Sequence, residues 1–195
     1  MKQSILKISA VVLLALGAGI NANAQISVGV TGGVGIPMGD MGDDAKGGIK
    51  TGFGGELQGR YHLNDNMAVG LSLGYYSWGT VEIPGFTTSF TTMPIMGGFD
   101  YYFSTDDFKP FAGIELGYTT WSSEVSGEIF GIPFEASSSG GGLALAPVIG
   151  ASYAINDQLD VFGRAKYFYG MTEDTGTGAP NLTYIGINAG VSMKF

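Results

Sequence analysis

Eight stretches of the 195-residue chain alternate between apolar and small or polar residues, and this period of two constrains the fold more than any other feature. Successive side chains of a strand point to opposite faces. Each stretch therefore presents one aliphatic and aromatic face against one face of glycine, hydroxyl and charged groups. Ile26, Val28, Val30, Val34 and Ile36 oppose Ser27, Gly29, Thr31, Gly33 and Gly35. Phe53, Leu57, Tyr61 and Leu63 oppose Glu56, Gln58, Arg60 and His62. Met93, Ile95, Phe99, Tyr101 and Phe103 oppose Thr92, Pro94, Gly98 and Asp100. The same split recurs around residues 68–75, 112–118, 143–153, 159–169 and 185–195. With 34 glycines, 12 Phe and 10 Tyr, the composition agrees with a β fold.

The amino terminus is of another kind. Lys2 and Lys7 precede an apolar run over residues 8–20 that ends at Ala22-Asn23-Ala24. A basic start, a short apolar core and a small-x-small end make a secretory signal, cut before Gln25. The run is shorter than the roughly 20 apolar residues that a spanning helix needs. The expected organisation is a signal peptide over residues 1–24 and one β domain over 25–195. The chain has no Cys, which excludes disulfides, thiolate metal sites and a lipid-modified cysteine. It has nine Lys and Arg against 17 Asp and Glu, and loss of Lys2 and Lys7 with the leader leaves seven against 17. Such an acidic surface repels phosphate backbones and excludes nucleic acid as a partner.

Connections between the stretches alternate in length. Leu63-Asn64-Asp65-Asn66, Ser104-Thr105-Asp106-Asp107 and Asn156-Asp157-Gln158 are short polar turns. Longer segments lie around residues 38–50, 79–90, 122–141 and 172–181. Tilted strands of about 9–11 residues, with short turns on one side and long loops on the other, are the layout of a transmembrane barrel. Tyr61, Tyr101, Phe103, Tyr153 and Phe195 then fall near one interface, and Tyr75, Tyr118, Tyr167 and Tyr169 near the other, as two aromatic girdles.

Alternation alone fits a soluble barrel or sandwich equally well, because there the apolar face looks inward. The charges separate the two. The polar face carries four acids, Glu56, Asp100, Glu115 and Asp160, and four bases, Arg60, Arg164, Lys166 and Lys194. A matched set suits a closed interior, where ions must be paired.

On these features the chain resembles the small eight-stranded outer membrane beta-barrel family, of the OmpA/OmpX-like kind. The likeness covers residues 25–195 and includes the end Gly190-Val191-Ser192-Met193-Lys194-Phe195. It implies an all-β, antiparallel, up-and-down transmembrane barrel in the outer membrane of a Gram-negative bacterium. The implied partners are outer-membrane lipid and the barrel-assembly machinery, which would read Phe195 as its assembly signal. Monomers are expected, without cofactor or metal. No peptidoglycan-binding domain follows the barrel, so a wall-anchoring role is not implied.

Function can reside in two places. An interior of eight strands is about wide enough to be filled by side chains. Arg60, His62, Phe162, Arg164, Lys166 and Phe168 point into it on this parity, but so do glycines such as Gly33, Gly54, Gly113 and Gly117, which leave room for a narrow pathway. On the outside, Ile83, Pro84, Gly85 and Phe86 form a tight turn between β-favouring segments, and Ile129 and Phe130 on one side and Phe134 on the other flank a second turn, Gly131-Ile132-Pro133. Two such hairpins predict one projecting four-stranded sheet with an open edge, a template for an extracellular protein or ligand.

Enzyme chemistry is not expected. His62 is the single histidine and points into the lumen at the turn end, away from lipid. Gly32-Gly33-Val34-Gly35 precedes no helix, and the acidic loop of Asp40, Asp43 and Asp44 lacks an EF-hand spacing. The expected function is envelope structure and surface binding, with a narrow channel for small or apolar molecules as the alternative. The mature chain isolated from membranes is expected to begin at Gln25, which intact-mass measurement checks; retention of residues 1–24 contradicts the signal assignment.

Overall fold

The computed structural model describes residues 26–43, 48–79, 86–129, 132–171 and 181–195. The leader expected over residues 1–24 lies outside these. Eight strands follow in chain order: β1 (Ile26–Pro37), β2 (Lys50–Asn64), β3 (Met67–Gly79), β4 (Phe86–Tyr102), β5 (Phe108–Ile129), β6 (Ile132–Ala154), β7 (Leu159–Gly170) and β8 (Leu182–Lys194). Each pairs antiparallel with its sequence neighbours, and β1 pairs with β8, so the sheet closes into a barrel. The seam runs from Ser27↔Lys194 to Pro37↔Tyr184. It is extended by a bond from the Phe195 N–H to the Ile26 carbonyl at 2.9 Å.

The three short turns share one device. The Asn66 N–H donates to Asn64 Oδ1 at 2.9 Å, the Asp106 N–H to Ser104 Oγ at 3.1 Å, and the Gln158 N–H to Asn156 Oδ1 at 2.9 Å. In each, a short polar side chain replaces a backbone partner two residues on and turns the chain sharply. At the opposite end, a 3-10 turn (Gly39–Gly42) between β1 and β2 folds Met41 over the barrel mouth.

The side chains sort as the alternation requires. Phe53 is 68% exposed and Leu71 71%, and Val30, Ile95, Leu116, Leu143, Ile149 and Ile187 also face outward. All four acids and Arg164 and Lys166 are turned inward. A soluble barrel would bury that aliphatic set, so the outer face is the one made for lipid. The ring-bearing residues of both girdles point outward as well: Tyr61, Tyr101, Phe103, Tyr153 and Phe195 at one end, Tyr75, Tyr118 and Tyr167 at the other.

The β2–β3 ladder shifts register between Lys50 and Gly52 and between His62 and Asn64, and two other ladders lapse at a proline. Pairing of β3 with β4 lapses between Leu73↔Ile95 and Tyr76↔Thr92, beside Pro94. Pairing of β6 with β7 lapses between Leu145↔Tyr169 and Val148↔Lys166, beside Pro147. A residue without an N–H cannot complete the rung.

The rim opposite the short turns is uneven. β5 and β6 pair out to Ile129↔Ile132, and β4 stays with β5 out to Phe86↔Gly127. Among the described residues, β3 is paired with β4 to Trp78↔Phe90, and β7 with β6 to Ala144↔Gly170. The projection is thus described as three strands rather than four. The expected fourth, continuing β3 over Thr80-Val81-Glu82, lies outside the described residues together with Ile83, Pro84 and Gly85.

Leu71→Arg places a charge on the lipid face near the middle of β3. It is expected to cost about 2–4 kcal/mol in urea unfolding from lipid vesicles. An unchanged midpoint contradicts the outward assignment.

Candidate functional site

Three layers of side chains fill the barrel interior. The central layer is ionic. Arg164 and Lys166, two residues apart on β7, share its inner face and meet Glu56 from β2 and Glu115 from β5. Arg164 Nη1 lies 2.7 Å from Glu115 Oε1, and Arg164 Nη2 pairs with Glu56. Lys166 Nζ lies 2.7 Å from Glu56 Oε1 and 2.9 Å from Glu115 Oε2. Each base therefore bridges both acids. Removing four charges from water is costly, and mutual attraction offsets the cost only when the remaining lone pairs are also satisfied. Tyr76 Oη donates to Glu56 Oε1 at 2.8 Å and accepts from Asn188 Nδ2 at 2.9 Å. Gln58 Nε2 reaches Glu56 Oε2 at 3.5 Å.

The layer toward the short turns holds two separate pairs. Arg60 Nε donates to Asp100 Oδ2 at 2.6 Å, and Lys194 Nζ to Asp160 Oδ1 at 2.8 Å. The Arg60 guanidinium also bonds Gln58 and sits 6.0 Å and 5.7 Å from the ring centres of Phe111 and Phe162. His62 Nε2 lies 3.3 Å from Ser27 Oγ, and its ring is 5.9 Å from that of Tyr102. A cavity of about 30 Å³ between these groups is lined by His62, Lys109, Lys194, Asp160, Arg60 and Tyr102, among others. That is room for a few waters.

The third layer, toward the long rim, is aromatic. Phe168 stacks on Tyr184 at 4.6 Å, Trp78 meets Tyr184 edge-on at 4.9 Å, and Tyr76 lies 6.0 Å from Trp78. Trp78 Nε1 donates to Thr92 Oγ1 at 3.0 Å, which satisfies its buried N–H. Met41, Phe90 and Leu182 close the top of the cluster, with Trp121 packed against it.

The eight charges expected in the lumen thus divide into one interlocked set, Glu56, Glu115, Arg164 and Lys166, and two pairs, Arg60–Asp100 and Lys194–Asp160, and Lys109 lines the cavity beside the pairs. The inward glycines do not leave the gaps expected of them. A Cβ on Gly54 would lie 2.4 Å from the Tyr76 ring, and one on Gly35 2.5 Å from Trp78. At Gly113 it would lie 2.2 Å from Asp100 Oδ1. At these three the space is taken by an aromatic ring or a carboxylate from a nearby strand, while at Gly33 and Gly117 a Cβ would lie 2.1 Å from the backbone carbonyls of Ile187 and Ile95. The lumen aromatics Tyr76, Trp78, Tyr102, Phe111 and Tyr184 escape a reading that assigns rings to the lipid face. The signal was available in their parity: Tyr76 and Trp78 continue the row of Gly74, and Tyr102 that of Asp100.

Of the hairpin residues, Phe86, Ile132 and Phe134 sit on the projecting sheet and the latter two are exposed. Ile129 pairs with Ile132, and Phe130 lies outside the described residues.

A closed antiparallel cylinder, apolar toward its surroundings and ion-paired within, defines an integral barrel of the outer-membrane class. The chain belongs to the outer membrane protein beta-barrel domain family, whose model matches residues 8–195. That membership places it in the outer membrane of a Gram-negative bacterium. Neisserial surface protein A is 21% identical with a TM-score of 0.61, the match covering 90% of this chain and 99% of that one. Ail, the attachment invasion locus protein of Yersinia pestis, is 19% identical with a TM-score of 0.55, covering 87% and 96%. OprG from Pseudomonas aeruginosa is 15% identical with a TM-score of 0.55, covering 87% and 95%. At these identities the likeness is one of fold. No curated protein matches the sequence.

Arg164→Met leaves Glu56 and Glu115 facing one base. It is expected to lose about 3–5 kcal/mol of unfolding free energy. Adding Glu115→Gln is expected to restore about 1–2 kcal/mol of that loss, a coupling that a double-mutant cycle measures; strict additivity contradicts the interlocked set.

Proposed function

We propose that this barrel is a non-enzymatic, monomeric membrane anchor that carries a surface-binding sheet on its extracellular rim. The observation that carries the reading is the run of β6 over residues 132–142, which pairs with β5 on one side and has no strand partner on the other among the described residues. A sheet edge held clear of the membrane by a rigid barrel is a template for an added strand. The fold supports the same reading: Ail, an attachment protein of this fold, has been solved in complex with the heparin analogue sucrose octasulfate. In this chain the long loops and the projection carry Asp40, Asp43, Asp44, Glu82, Glu124, Glu128, Glu135, Glu173 and Asp174 against Lys46 and Lys50. Such a rim repels polyanions of that kind and favours cationic partners.

Passage of small or apolar molecules is the competing function. It requires opening both the ionic layer and the aromatic layer, and the packing of rings and carboxylates over the glycines argues against it. The lumen charges and Phe195 serve assembly and stability in this reading.

The purified barrel in planar bilayers is expected to be silent; stable, reproducible conductance steps overturn the anchor reading. Cells displaying a barrel with residues 122–139 replaced by a short turn are expected to lose adherence relative to wild type at equal surface level. Equal adherence removes the projection from the function.

A further inference from the structure

We propose that the edge of β6 that has no strand partner among the described residues takes up an extended segment of a partner protein whose side chains alternate between apolar and basic. This rests on the surface-binding reading above and specifies its partner. The direction of the edge groups follows from one bond. The Met171 N–H donates to the Leu143 carbonyl at 2.7 Å, so Leu143 turns its backbone groups away from β5. Orientation alternates along a strand, so Gly141, Ser139, Ser137 and Glu135 do the same. They present N–H and C=O groups to the open side over seven residues, about 23 Å of strand. Pro133 stops the row, since it has no N–H to offer.

The projecting sheet has two unlike faces. The face that continues the lumen carries Phe86 and Phe90 from β4, Trp121 and Val125 from β5, and Phe134 and Ala136 from β6. Phe86 and Phe134 flank Gly127 in a single row, and Phe90 stacks on Trp121 at 6.1 Å. Trp121 in turn packs on the aromatic layer of the lumen, so this apolar face is continuous with the barrel's interior. The outer face carries Glu124 and Glu128 from β5 and Glu135, Ser137 and Ser139 from β6. No Lys, Arg or His occurs in residues 86–92 or 119–142.

A strand added to β6 lays alternate side chains on these two faces. On the inner face they extend the row of Phe134 and Ala136, which selects apolar groups. On the outer face they lie beside Glu135, with Glu124 and Glu128 one strand further, which selects lysine or arginine. A second copy of this chain does not fit, because its own projection brings carboxylates against carboxylates. The segment over residues 172–180 is a poor match for the same reason, since it carries Glu173 and Asp174 and no base.

The test places the whole barrel in nanodiscs of zwitterionic lipid. It measures binding of a short synthetic peptide alternating Val or Tyr with Lys, by fluorescence anisotropy. Saturable binding that weakens with salt is expected, with a peptide of the same alternation carrying Glu in place of Lys binding about tenfold more weakly or less. Ser137→Pro removes an N–H from the open side and none from the β5 ladder, so the barrel still assembles. Binding is expected to fall about tenfold. Glu124→Gln with Glu135→Gln is expected to weaken only the Lys peptide and to flatten its salt dependence.

Equal binding of both peptides, lost from both in Ser137→Pro, overturns the basic partner and keeps the edge. Binding indifferent to Ser137→Pro overturns the edge itself. Binding that appears only after residues 173–179 are replaced by a Gly-Ser turn makes the chain's own loop the occupant and overturns the proposal. Binding of neither peptide in any form overturns both the proposal and the surface-binding reading.

Discussion

Everything in this molecule follows from the rule that lipid offers no hydrogen bonds. Each backbone N–H and C=O inside the hydrocarbon must find its partner within the protein, and for strands only a closed ring supplies it. Pairing of β1 with β8 is therefore the condition on which the other features rest. Once the ring closes, outward positions are set aside for aliphatic and aromatic groups, and inward positions must fill a narrow cylinder. At Pro94 and Pro147 the rule is relaxed locally, with two residue pairs missing from each ladder.

The filling of that cylinder solves two problems with different chemistry. Ionic groups tie strands that are far apart in sequence: β2 and β5 supply the acids, and β7 supplies both bases. Because each base bridges both carboxylates, loss of one partner leaves an uncompensated charge rather than a simple gap. A stacked aromatic cluster occupies the half nearer the long rim, where Trp78, Tyr184 and Phe168 lie within van der Waals reach. Glycine is the complement of those rings. At Gly35 and Gly54 the missing side chain makes the space for a ring from a nearby strand, and at Gly33, Gly117 and Gly190 it lets the neighbouring backbone approach, so inward glycine here marks dense packing rather than emptiness.

Most of the architecture was legible in the period-two pattern, because a membrane barrel exposes one face and encloses the other along its whole length. The opposed charges decided which face was which, since Glu56 or Arg164 cannot face acyl chains. The legible part ended at the aromatic residues. Tyr and Phe occur on both faces, so Tyr75 and Tyr76, adjacent in sequence, go to lipid and lumen respectively, and type alone does not separate them. Parity does, provided the strand is followed beyond its aliphatic portion. The projecting sheet was legible only as β-favouring residues around two turns. Nothing in its β-favouring residues marked which side of β6 has no strand partner among the described residues.

The first and last strands of the ring are side by side, although almost the entire chain lies between them. Contacts of such separation pay the full entropy of loop closure before they return any energy. Seven hairpin pairings can form progressively, but the seam waits for β8 to be delivered. Until then β1 and β8 are open template edges in an unfinished ribbon. A chain built this way depends on being held apart from its siblings during transit, and its kinetic hazard lies in delay at the seam rather than in any weakness of the finished wall.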